Sequence, residues 1–160
     1  MTPIDRMLAE QACQKLQMQY GVFADRGDVE GFVGLFTADA AITVPEHPAF
    51  TGHDAIRASI QALAATGLTM RHVITNPVVD VTGPEMATGV CYLIVFNSAA
   101  AADPTGTRPA ALPATVGEYA DTFRRTADGW RFQSRVLTRV FRRIDDPMLA
   151  AATRAPQGKA

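Results

Sequence analysis

Apolar residues recur at helical spacing early in the chain: Leu8, Ala12, Leu16, Tyr20 and Phe23 share one face, which leaves Glu10, Gln14, Lys15 and Gln17 toward solvent. The pattern predicts one long amphipathic helix ending near Asp25. Thr2 supplies a capping oxygen at its start, and Pro3 occupies a first turn where no amide partner is lost. Gly27 permits a turn, and Asp28 caps a short second helix carrying Val29, Phe32, Val33, Leu35 and Phe36. A β-compatible run over Ala40–Val44 is broken by Pro45. A third helix then carries Ala55, Ile56, Ser59, Ile60 and Leu63 and ends near Gly67.

Beyond Met70 the period changes to two. Met70, His72, Ile74, Asn76 and Val78 fall on one face of a long strand and Arg71, Val73, Thr75, Pro77 and Val79 on the other. Met86–Asn97 forms a second strand that is apolar on both sides, which predicts that both are buried. Residues Ala99–Ala114 hold three prolines and read as a long loop suited to covering a pocket. Thr115–Arg125 and Trp130–Arg142 are the last strands, joined at Ala127-Asp128-Gly129, where Asp-Gly signals a hairpin. Helices followed by antiparallel strands indicate an α+β domain over residues 1–145, with the helices on one face of a curved sheet. Residues 146–160 read as a flexible tail.

At 160 residues, 48% hydrophobic and 19% charged, the chain suits one domain with a sizeable core. A net charge of −1 gives no footprint for nucleic acid or an anionic membrane. Cys13 and Cys91 stand in apolar patterns without metal-ligand or Cys-x-x-Cys spacing, so they read as buried reduced thiols. The N-terminus lacks the unbroken apolar core of a signal peptide, and no run reaches the ~18 apolar residues of a membrane span. A cytoplasmic protein is expected.

This element order, together with Phe23-Ala24-Asp25-Arg26-Gly27-Asp28-Val29-Glu30-Gly31 and Asp128-Gly129-Trp130-Arg131-Phe132, resembles the SnoaL-like branch of the nuclear-transport-factor-2-like superfamily. The resemblance covers about Ile4 to Arg143. It implies a cone-shaped antiparallel sheet whose three helices enclose an apolar pocket. The superfamily hosts dehydratases, isomerases, polyketide cyclases and epoxide hydrolases, as well as subunits that do no chemistry, so fold alone leaves function open. Within it the chain is similar to the bile-acid and scytalone dehydratases. The bile-acid enzyme's tyrosine five residues before an aspartate corresponds to Tyr20 and Asp25, its catalytic histidine to His72, and its late-strand arginine to Arg139. Its acidic residue in the second long strand has no counterpart in Tyr92-Leu93-Ile94-Val95-Phe96.

The implied chemistry is proton transfer next to a carbonyl. His72 would serve as base and acid, Asp25 would orient it, and Tyr20 would donate to a developing enolate; no cofactor or metal is expected. Each has a plainer role: His72 a satisfied core residue, Asp25 a turn cap, Tyr20 a donor to a backbone carbonyl. On a regular helix, five residues subtend about 140°, so Tyr20 and Asp25 meet one pocket only by flanking its mouth or by helix unwinding near Ala24. Asn76 shares the predicted face of His72 and either lines the pocket or ends a ladder. Asp121, on one face with Tyr119 and Phe123, is a candidate cyclase-type base if that face looks inward. The favoured reading turns it outward, paired with Arg124, Arg135 or another cation. Arg142 and Arg143 read as a solvated or dimer-facing edge. The leading expectation is a dehydratase, hydratase or isomerase for a small, mostly apolar oxygenated substrate of steroid or polyketide type. The alternatives are a non-catalytic ligand-binding or partner subunit and a cyclase using Asp121. A homodimer or higher homo-oligomer is expected, because a sheet apolar on both faces must cover the outer one.

Overall fold

The computed structural model describes residues 1–146. Helix α1 (Pro3–Arg26) leads into α2 (Val29–Val33), β1 (Phe36–Thr43), β2 (Phe50–Thr51) and α3 (Gly52–Ala65). Four long strands follow: β3 (Thr69–Val81), β4 (Met86–Ser98), β5 (Pro113–Thr126) and β6 (Gly129–Arg142). They build one six-stranded sheet in the order β2-β1-β6-β5-β4-β3. The β1–β6 pair is parallel and the other pairs are antiparallel. The result is an α+β fold in which helices lie against the inner face of a curved, unclosed sheet.

A capping box starts α1: Asp5 N donates to the Thr2 hydroxyl at 3.1 Å and Thr2 N donates to the Asp5 carboxylate at 2.9 Å. Gly27, at φ 65°, ends the helix in the left-handed region, and Asp28 accepts from Gly31 N to cap α2. The buried face of α1 is Ala9, Cys13, Leu16, Gln17, Tyr20, Gly21 and Ala24. This face is rotated from the predicted one: Leu8 is 54% exposed, whereas Gln17 is buried. Two forces turn it. Small residues at Gly21 and Ala24 let the helix backbone approach β3, and a carboxylate on β5 draws Gln17 inward.

The second helix stops at Val33 rather than Phe36. Phe132 N donates to Leu35 O at 2.9 Å and Phe36 pairs with Phe132, so β6 claims this segment as strand. Propensity yields here to tertiary pairing. On β3 the alternation breaks at a bulge, where Asn76 and Pro77 lie between the Thr75↔Tyr92 and Val78↔Val90 pairs and Asn76 adopts φ 54°. Val79 and Val81 therefore point inward and Val78 outward, the reverse of the simple pattern.

The core consists largely of interlocking rings. Tyr20 lies 4.7 Å from Phe32, 5.4 Å from Tyr119 and 6.4 Å from Phe132, and Phe123 and Phe132 sit 5.0 Å apart. The outer face of the sheet differs from expectation: Val73, Val78, Val90 and Tyr92 are exposed in the single chain, with Tyr92 at 50%. The segment 99–112 closes partly on itself, with Thr105 and Thr107 amides on the Asp103 carboxylate and Arg108 on Ala100 O. At the C-terminal side the body reaches Asp146, one residue past the predicted boundary, because this buried carboxylate accepts from Asn97 Nδ2 at 2.7 Å. The rest of the expected tail lies outside the described residues.

A Cβ placed on Gly21 would stand 2.9 Å from the His72 Cβ. Glycine to alanine inside a helix normally adds about 0.8–1 kcal/mol of helix stability. Here the overlap with β3 outweighs it, and Gly21→Ala is expected to cost about 1–3 kcal/mol overall. The check is the urea midpoint, which falls at unchanged m.

Candidate active site

Asp25 sits in the last turn of α1 and reaches across to β3. Its Oδ2 accepts from the His72 backbone N at 2.9 Å and its Oδ1 lies 2.6 Å from His72 Nδ1. The aspartate thus holds strand and imidazole together, and is more than a turn cap. Because a carboxylate only accepts, the neutral ring carries its proton on Nδ1, and Nε2 is then the nitrogen with the lone pair. Among the described residues Nε2 has no hydrogen-bond partner. The two side chains are 9% and 10% exposed, so the pair is shielded but not sealed.

Tyr20 stands on the neighbouring flank of this pair. The helix stays regular through Arg26, so Tyr20 and Asp25 diverge as the helical angle requires: Asp25 grips β3 and Tyr20 enters the aromatic core. The His72 ring lies between these directions, 6.5 Å from the Tyr20 ring and nearly perpendicular to it. Burial pushes the Tyr20 phenol above its ordinary pKa, partly offset by the Arg135 charge and a hydrogen bond with Tyr119. The phenol is therefore a neutral donor at physiological pH.

Beneath Tyr20 lies a group whose burial sequence reasoning missed. Arg135 is fully buried, and its guanidinium carbon sits 4.3 Å from the Tyr20 ring, 4.0 Å from Tyr119 and 4.3 Å from Phe132. Asp121 neutralises it through two bonds, Nε to Oδ1 at 2.8 Å and Nη2 to Oδ2 at 2.7 Å. Gln17 Nε2 donates to the same carboxylate at 2.9 Å. Burial alone would weaken the guanidinium's hold on its proton, but Asp121 outweighs that and raises its pKa. Asp121 thus pairs with an arginine as favoured, but on the inner face rather than the outer one. With both oxygens engaged it is not available as a cyclase-type base. The one sequence signal for this cluster was the shared strand face of Tyr119, Asp121 and Phe123.

The other predicted site residues lie apart. Asn76 is exposed at the β3 bulge, where its left-handed backbone carries it off the His72 face, and it accepts from the Thr75 hydroxyl at 2.8 Å. Arg139 is on the inner face near the open end, with Nη1 3.3 Å from Glu46 Oε2. His53 Nε2 lies 3.0 Å from Phe36 O, and His47 is exposed. Among the described residues no three His, Cys, Asp or Glu side chains gather as a metal-ligand set.

A curved, unclosed six-stranded sheet backed by three helices is the architecture of nuclear-transport-factor-2-like proteins. The chain belongs to the SnoaL-like domain family, which matches residues 5–136. An NTF2-like protein with a cystatin-like fold from Novosphingobium aromaticivorans is similar in structure, with 28% identity, TM-score 0.70 and coverage of 94% of this chain and 91% of that one. A Mycobacterium tuberculosis protein of unknown function, solved as an aspartate-to-asparagine variant, gives 27%, 0.71, 97% and 85%. A hexachlorocyclohexane dehydrochlorinase shares the fold at 13% identity and TM-score 0.73, over 88% of this chain and 90% of that one. No curated protein matches the chain by sequence.

Two outcomes follow from the buried chemistry. Asp121→Ala strands the Arg135 charge and is expected to cost about 3–5 kcal/mol, whereas the double variant Asp121→Leu/Arg135→Met regains most of that loss; chemical denaturation of the two variants beside the wild type checks it. Burial also pushes the Cys13 thiol up to about 12 and the Cys91 thiol up to about 11. A disulfide reagent such as DTNB at pH 8 should therefore label neither cysteine in the native protein and both after unfolding.

Proposed function

We propose that the chain is a lyase or isomerase working by acid–base chemistry on a small, mostly apolar, oxygenated substrate. The observation that carries this is the Asp25–His72 pair, in which one carboxylate binds both the backbone N and the Nδ1 of a shielded imidazole. His72 Nε2 removes a proton from carbon beside a carbonyl. Asp25 stabilises the imidazolium that results. The electron pair from the C–H bond moves into an enolate whose oxygen is held by the neutral Tyr20 phenol. For a dehydration, a hydroxyl on the next carbon then leaves with the proton returned by His72, giving an alkene and water. For an isomerisation, the proton returns to a different carbon. The dehydrochlorinase that shares the fold is named for an elimination, which supports this reaction class. Steroid- and polyketide-like compounds fit the apolar character of the inner face.

A second reading, a ligand-binding or partner subunit without chemistry, draws on the dense filling around Tyr20 by Phe32, Phe36 and Phe132. The two readings separate on a β-hydroxy ketone substrate found by screening. His72→Ala and Asp25→Asn are expected to lower kcat by about 10²–10⁴-fold and Tyr20→Phe by about 10²–10³-fold, with native circular dichroism retained. Folded His72→Ala protein at full turnover would contradict the acid–base reading.

The protein also acts as a homodimer or higher homo-oligomer in this proposal. The outer face carries exposed Val78, Val90 and Val136 around a shallow concavity of about 370 Å³, the kind of apolar patch that a second copy covers. Sedimentation equilibrium at micromolar concentration should give at least a dimer, and Val90→Asp with Val136→Asp a monomer; a monomeric wild type would contradict it.

A further inference from the structure

The open end of the inner face holds charges that the proton-transfer chemistry does not use. Strand pairing shows which side they occupy, because directly paired residues in an antiparallel sheet point to the same face. His72 pairs with Val95, Val95 with Thr115, and Thr115 with Arg142. In the adjacent row Ile74 pairs with Leu93, Leu93 with Gly117, and Gly117 with Arg139. Simple alternation would send Arg139 and Arg142 to opposite faces. The register shift between Val116 and Gly117 leaves Val140 as an extra residue, and that bulge turns Arg142 inward beside Arg139. Arg142 is therefore no solvated edge residue: it stands in the row of His72, three strands away.

One carboxylate faces both arginines. Glu46, on the β1–β2 connection, receives Arg142 Nη1 on both oxygens at 2.9 and 2.8 Å and Arg139 Nη1 at 3.3 Å. Among the described residues no other acid bonds to either arginine: Asp145 is engaged by Arg143, Asp146 accepts from Asn97, and Glu118, paired with Thr138, is on the outer face. One negative charge set against two positive ones leaves the cluster cationic, and Arg139 Nε is buried without a partner among the described residues. Glu46 itself is 61% exposed and adopts φ 72°, a left-handed backbone uncommon for a non-glycine residue. The Arg142 hydrogen bond holds its carboxyl below the usual pKa, so it remains an anion at physiological pH.

We propose that Arg139 and Arg142 clamp a carboxylate at the far end of the substrate, and that Glu46 is the internal placeholder which that carboxylate displaces. Three strand spacings of about 4.8 Å put the clamp roughly 14 Å along the sheet from His72, less across its curvature. Val95 lies between them in the row of His72 and Arg142 and Leu93 in the row of Arg139, with Leu137 one row deeper, all buried on the inner face. The substrate class is therefore an elongated apolar acid whose reacting carbon reaches His72 while its carboxylate stays at the mouth. Which end reacts rests on the acid–base reading; the clamp does not, and it is tested without turnover.

The probes are 6-(2-naphthyl)hexanoate and its primary amide, titrated calorimetrically into the full chain at low salt. The carboxylate should bind at least ~10-fold tighter than the amide, with the preference lost in Arg142→Gln and Arg139→Gln and reduced by 0.5 M NaCl. Glu46→Gln, an exposed loop change that leaves the arginines in place, should tighten carboxylate binding by about 3–10-fold and leave the amide unchanged. Equal affinity for the two probes, no binding of either, or a Glu46→Gln variant indistinguishable from wild type would overturn the clamp. His72→Ala should keep the carboxylate preference, so failure of the proton-transfer reading and failure of the clamp register in different experiments.

Discussion

Asp25 is where the structure's packing and its chemistry meet. A helix lies close against a strand only if small residues face it, and Gly21 supplies that closeness by leaving no room for a Cβ beside His72. One turn further on, Asp25 crosses the same gap and takes both polar groups that His72 presents on that side, its N–H and its Nδ1. Shielding makes such contacts stronger than they would be in water, and also costly to leave incomplete. The packing of α1 on β3 therefore fixes the rotamer and tautomer of the imidazole, and the position of Nε2 follows from it.

A second constraint lies one layer deeper. Arg135 brings a full charge into the aromatic core, which is tolerable because Asp121 answers it bidentately and the faces of Tyr20, Tyr119 and Phe132 surround it. The Tyr20 ring is thereby wedged between a guanidinium and the rings of Phe32, Phe36, Tyr119 and Phe132, so its phenol has little freedom. Gln17 extends the network back to α1. Helix and sheet are thus joined twice, once at the imidazole and once beneath the phenol, and each junction orients one group of the proposed site.

Much of this was legible in the sequence. The change of period from 3.6 to 2 near Met70, the Asp-Gly hairpin and the Gly27–Asp28 turn gave the element order, and the resemblance to the dehydratases, not spacing, pointed to Tyr20, Asp25 and His72, which lie close together in the fold. What escaped was whatever depends on partners distant in the chain. Gln17 and Arg135 look like surface residues until Asp121 is placed between them. Phe36 reads as helix until β6 pairs with it. The faces of Asn76, Val78 and Arg142 cannot be read by counting alternate residues, because a bulge of one residue reverses every side chain after it. Small residues misled in the same way: hydrophobicity placed Leu8 inside, while Gly21 and Ala24 decided which face of α1 meets the sheet.

The central claim is that Asp25 sets His72 as an Nδ1-protonated imidazole with a free Nε2 lone pair. Nitrogen-15 NMR of the histidine side chains at neutral pH tests it most directly, since protonated and lone-pair ring nitrogens resonate far apart. The account predicts that neutral His72 shows a protonated Nδ1 and an unprotonated Nε2, and that Asp25→Asn abolishes this fixed tautomer while His47 and His53 are unchanged. A His72 spectrum with the proton on Nε2, or one that Asp25→Asn leaves unaltered, would contradict it.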